Sequence, residues 1–105
     1  MEIIITPHAL LTVHTEFTYL KEFATERVAH NFKNSFVEKV DSILPDYLAY
    51  AECRFLPTKN KIYRNIIWGN YLIIYKILKK EILVLGVFHA KQNPAKLKSY
   101  RRIKK

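Results

Sequence analysis

The order of hydrophobic patterns predicts an α+β domain with the element order βααβββ: a two-helix hairpin packed on a small antiparallel sheet, then a short basic helix or tail. Three observations lead there. Two apolar stripes at three- and four-residue spacing run through residues 7–43 with almost no connector between them. Three runs rich in β-branched and aromatic residues follow within 62–89, separated by gaps short enough for hairpins. With 105 residues, half of them apolar, the chain fills one core, so residues 1–105 are read as a single domain.

Each element has a local reason. Residues 2–6 form a β-branched run that stops at Pro7, which suits a first strand. Thr6 supplies a capping hydroxyl and Pro7 a proline in the first helical turn. Leu10, Val13, Phe17, Leu20 and Ala24 then mark one face of a first helix. Thr25 caps the second, where Ala29, Phe32, Phe36, Val40 and Ile43 repeat the spacing until Pro45. Residues 46–61 hold no sustained period and read as a loop, with one helical turn suggested near 47–51. The runs 62–68, 71–77 and 82–89 read as strands; the third is the most apolar and is expected at the centre, covered on both faces. After Pro94, residues 95–100 suggest a short helix, and the basic end 101–105 is expected to fray.

Charge divides the chain. Residues 1–52 carry four basic and eight acidic residues, whereas residues 53–105 carry fourteen basic residues and one acid, Glu81. The total is a formal charge of +9, which bears on partners rather than on fold. One cysteine, Cys53, allows no internal disulfide, and the four histidines show no metal-ligand spacing, so neither metal nor cofactor is expected. The acidic start does not suit a secretory signal, and no apolar run approaches the roughly 20 residues that a bilayer span requires. A cytoplasmic protein is the expectation. Two glycines exclude the Gly-rich phosphate loops and the glycine-dependent nucleophile elbow.

The basic half holds the candidate chemistry. Arg64 lies in one strand, Lys76 in the next, and His89 with Lys91 closes the third; Tyr71 and Tyr75 interleave with them. Cations neutralise phosphates and flat rings stack on bases, which makes Arg64, Tyr71, Tyr75, Lys76, Lys91, Arg101 and Arg102 the candidate target or nucleic-acid contacts. The alternation of Tyr71, Ile73, Tyr75 and Ile77 suits packing equally well. The opposite strand faces are apolar too. If the helices cover one side only, Leu72, Ile74, Leu83 and Leu85 form an exposed patch for a partner chain, which the local charge would require to be acidic.

The segment from Tyr63 through the hairpin Asn70-Tyr71-Leu72-Ile73-Ile74-Tyr75-Lys76-Ile77 to His89-Ala90-Lys91-Gln92-Asn93-Pro94 resembles the C-terminal half of RelE/ParE family toxins. The opening strand and helical hairpin match the same family's order. The resemblance implies the toxin of a bacterial type II toxin–antitoxin pair, also called a plasmid stabilisation protein, held inactive by a cognate antitoxin; the apolar patch and the charge above place an acidic antitoxin on Leu72, Ile74, Leu83 and Leu85. It implies growth inhibition by binding DNA gyrase in the ParE branch, or by ribosome-dependent mRNA cleavage in the RelE branch. The RelE arginine after the hairpin tyrosine is here Leu72, and the ending is closer to ParE-like members. A nuclease would have to rely on Arg64, His89 and Lys91. A third alternative is an inactive module that only binds nucleic acid or antitoxin.

Overall fold

The computed structural model describes residues 1–105. Strand β1 (Glu2–Ile5) leads to helices α1 (Pro7–Phe23) and α2 (Glu26–Asp41) and a one-turn helix α3 (Ile43–Asp46). Strands β2 (Tyr63–Trp68), β3 (Tyr71–Ile77) and β4 (Glu81–His89) follow, and the chain ends in a 3₁₀ helix, Pro94–Arg102.

Both helix starts form as their sequences require: the Thr6 and Thr25 hydroxyls accept the Ala9 and Val28 amide hydrogens at 3.1 and 3.0 Å. Only Ala24 and Thr25 separate the helices, which therefore fold back as a hairpin. Helix α2 buries Ala29, Phe32, Phe36 and Val40, but Ile43 belongs to α3, because Ser42 ends the longer helix. Pro45 sits inside α3, in a first turn whose amides need no intrahelical acceptor. The helical turn expected near 47–51 thus lies earlier. Helix α1 turns Ala9 and Val13 inward, while Leu10, expected on that face, is 57% exposed.

The sheet order is β1-β4-β3-β2. Strands β2, β3 and β4 form an antiparallel meander. Gly69, in the turn between β2 and β3, takes a φ of +56°, in the left-handed region that such tight turns demand. Strand β1 joins β4 in parallel, pairing Glu2 with Glu81 and Ile5 with Val84, so the sheet is mixed rather than wholly antiparallel. No hairpin links β1 to its neighbour, so its direction follows from the path of the whole chain. Strand β4 is central and buried from Ile82 to Phe88. A bulge opposite Ile74/Tyr75 shifts its alternation, so Val84 and Val87 face the helices while Leu85 and Phe88 face away.

The reverse face is where expectation and structure part. It is not open: Cys53 and Leu56 from the long loop, with Leu97 and Tyr100 from the 3₁₀ helix, close a second core over Ile74, Leu83 and Leu85. Ile74 and Leu85 are fully buried, Leu83 nearly so, and Leu72 half-buried against the same cluster. These four residues therefore do not form the exposed patch inferred from sequence. The short helix expected over 95–100 forms as a 3₁₀ helix that takes in Arg101 and Arg102 from the end expected to fray, and it acts as a lid, because three residues per turn bring Leu97 and Tyr100 to one side. Gly86 receives Tyr100: a Cβ there would lie 2.8 Å from the phenol oxygen and 3.2 Å from the ring.

Gly86→Ala is accordingly expected to lower stability by about 1–3 kcal/mol in urea denaturation, the usual cost of overpacking. Combining it with Tyr100→Phe, which removes the nearest atom, should recover part of that loss.

Candidate functional site

Strand β4 is nine residues long and β1 covers only its first four. Beyond Val84, side chains at the start of α1 take over its free edge. The Thr6 hydroxyl donates to the Val84 carbonyl at 2.8 Å, His8 Nδ1–H donates to the Leu85 carbonyl at 2.9 Å, and Thr12 Oγ1 accepts the Val87 amide at 3.0 Å. A carbonyl only accepts, so the Nδ1 proton of His8 is fixed by its partner. Sequence reading identifies Thr6 only as a helix cap and misses the roles of His8 and Thr12; the polar spacing of the three on an otherwise apolar helix start is the available signal.

The same arrangement opens a cleft of about 740 Å³ between α1 and the 3₁₀ helix, floored by Val87 and Phe88. At one end Tyr71 donates to Glu16 Oε2 at 2.6 Å, and its ring meets that of His89 edge-on at 5.1 Å. His89 Nδ1 accepts the Lys91 amide at 3.0 Å, leaving Nε2 as the nitrogen free to carry the neutral ring's proton. Between the walls the His8 ring stands edge-on to Tyr100 at 5.1 Å. Burial, then the bond to Glu16, pushes the Tyr71 phenol far up. Burial alone pushes Tyr100 up to about 12. No three His, Cys, Asp or Glu side chains converge as a metal site would need.

The sequence candidates do not assemble into one site. Arg64 donates to the carbonyls of Lys61, Leu48 and Tyr50 at 2.9, 2.8 and 2.8 Å, pinning the long loop to β2. Trp68, not Arg64, is level with Tyr71 and His89. Arg64 therefore lies roughly 13 Å down the strand and two strands away from His89. Tyr75 is fully buried on the helix side and donates to the Tyr47 carbonyl at 2.7 Å. Lys76 and Arg101 both lie over the Tyr63 ring, at 5.4 Å each, and Arg101 also donates to the Pro57 carbonyl. Lys91 is exposed in the turn after β4. Of the seven target candidates only Tyr71 and Arg102 line the cleft. Cys53 is buried beside Tyr63, at the other end of the sheet from His89.

The fold is that of the RelE/ParE-like toxins. A chain described as "Chromosomal ParDE TA system from P. aeruginosa" superposes with a TM-score of 0.71 at 15% identity, over 87% of this chain and 97% of that one. The family model "ParE toxin of type II toxin-antitoxin system, parDE" matches residues 3–94, and the chain belongs to that toxin family. No curated protein sequence matches it significantly. No helix is long and apolar enough to cross a membrane.

Two measurements test these assignments. Arg64→Lys cannot present three donors in a fork, and it should cost roughly 1.5–3 kcal/mol in urea denaturation, as for a hydrogen-bonded charge that loses its partners. In alkali, Tyr100 with its folded pKa near 12 keeps a proton that the unfolded chain releases near 10. Its contribution is therefore complete below about pH 10 and is lost as pH rises towards 12. Stability should fall across that window, with Tyr71 and Tyr75 adding in the same direction, and Tyr100→Phe should flatten the fall.

Proposed function

We propose that this toxin arrests growth by binding its target, with DNA gyrase as that target, and that a cognate acidic antitoxin neutralises it. The observation that carries the binding reading is the dispersal of the nuclease candidates: Arg64 is engaged by three backbone carbonyls, far from His89 and Lys91. Phosphoryl transfer needs its acid, base and charge-stabilising groups around one phosphate. Binding a protein needs only a complementary surface.

Two features support an acidic protein partner. Of eighteen cations, only Lys21 and Lys105 are in ion pairs, so the basic half keeps its field for association. Exposed apolar side chains are also present, though not where the sequence suggested. Leu11, Tyr19 and Phe23 stand out from α1, with Phe23 69% exposed. Such side chains commonly mark a surface that another chain covers.

Induction of the chain alone in a bacterial host should stop growth with altered plasmid supercoiling or DNA breaks while RNA stays intact. Co-expression of a short acidic protein from the adjacent reading frame should restore growth. His89→Ala and Lys91→Ala should leave the arrest in place. Cleaved mRNA that becomes intact in these variants would replace this reading with the nuclease one, and harmless induction would leave only an inactive binding module.

A further inference from the structure

We propose that the cleft between α1 and the 3₁₀ helix binds a nucleoside phosphate, as a free nucleotide or as the terminal unit of a single strand. Its walls differ in chemistry. In a 3₁₀ helix, side chains three apart eclipse. Leu97, Tyr100 and Ile103 therefore form the column that enters the second core, and Lys96, Ser99 and Arg102 form the column that lines the cleft. Ser99 turns its hydroxyl back to the Lys96 carbonyl at 2.8 Å, so the free polar groups of this column are an ammonium and a guanidinium. Lys98 adds a third cation to the same wall. None of the three has a carboxylate partner, since both ion pairs of the molecule lie elsewhere.

The far end offers acceptors and rings instead. Glu16 is the cleft's only acid, and Tyr71 holds its Oε2, so the carboxylate is oriented and Oε1 remains to accept from a hydroxyl or an amine. Phe88 adds an apolar lining, and the rings of Tyr71 and His89, edge-on to each other, line the cleft from the helix side of the sheet. A ligand that matches both ends carries an anion, hydroxyl or amino donors and a flat ring within one small molecule. A nucleotide has all three. Ordinary small-ligand clefts enclose from roughly 300 to roughly 1000 Å³. This one, at about 740 Å³, is of that size. A bare anion leaves Glu16 and the rings unused, and an acidic peptide would set a second carboxylate against Glu16. The three cations lie outside the residues that match the toxin family, 3–94. Glu16, Tyr71, Phe88 and His89 lie within them, and the inference does not depend on the gyrase reading.

Calorimetric titration of the full chain, made by cell-free synthesis to bypass toxicity, tests it with adenosine and uridine monophosphate. Inorganic phosphate, adenosine, an acidic hexapeptide and a tetranucleotide serve as comparisons. One nucleotide should bind per chain, more tightly than phosphate or adenosine. Lys96→Ala and Arg102→Ala should each weaken it about tenfold, as expected for loss of one charge-assisted contact. Glu16→Gln should weaken nucleotide and leave phosphate unchanged, and Lys79→Ala with Lys80→Ala, on the β3–β4 turn, should change nothing. Tighter binding of the tetranucleotide would identify a strand end as the source, and equal binding a free nucleotide. The inference fails if nothing saturates, if phosphate binds as well as nucleotide, if the hexapeptide binds better, or if the Lys79 and Lys80 variants lose as much as those in the cleft. Growth arrest with no nucleotide affinity would overturn this inference alone.

Discussion

Strand β4 presents nine residues of backbone to a neighbour only four residues long, and the remaining edge must find partners within the fold. A buried amide or carbonyl left unpaired costs about 1–3 kcal/mol, so the mismatch decides where α1 sits. Thr6 caps α1 and at the same time donates to Val84; His8 reaches Leu85 a little further on; Thr12 accepts from Val87. The helix is thereby laid along the edge of β4 as if it extended β1 with side chains in place of main chain. That placement produces the wall of the cleft and fixes His8 with its Nδ1 committed.

The faces of β4 impose the second demand. Seven consecutive buried positions need covers on both sides, and a 105-residue chain has only two helices of any length to supply them. The helical hairpin covers one side. The other is closed by a loop and a nine-residue 3₁₀ helix, longer than such helices usually run. An α-helix would rotate Leu97, Tyr100 and Ile103 progressively away from the sheet, whereas the threefold repeat keeps them in line. The notch at Gly86 lets Tyr100 approach the strand directly, and Arg101 ties the helix to Pro57 in the loop that shares the cover.

What could be read in the sequence was local. Thr6-Pro7 and Thr25 announce helix starts, Phe32, Phe36 and Val40 a buried face, Gly69-Asn70 a turn, and an unbroken apolar run the central strand. What could not be read depends on partners distant in the chain. Leu97 and Tyr100 stand among lysines and arginines, so a short helix is legible there but its burial is not until Gly86 is placed beneath it. The parallel direction of β1 follows from the whole chain path. Arg64 looks like a free cation in a basic half, and only the return of the loop past β2 shows that its guanidinium is holding three carbonyls. Tyr75 carries the same alternation whether it packs or binds, and its phenol meets Tyr47 only after α3 has formed.

The cations that folding leaves idle are informative for the same reason. Arg64 and Arg101 hold backbone carbonyls, and Lys21 and Lys105 pair with acids. The rest, including Lys91, Lys96, Lys98 and Arg102, hold nothing in place through a side-chain hydrogen bond or an ion pair. Mutual repulsion of so many like charges works against the compact state. At the β2 edge, loop residues Glu52 and Cys53 already pair beside Tyr63 and Arg64, so that part of the edge needs no charged side chains to protect it. Charges that oppose folding and hold no hydrogen bond or ion pair leave a strong positive field at the surface, and such a field accelerates the approach of any oppositely charged molecule.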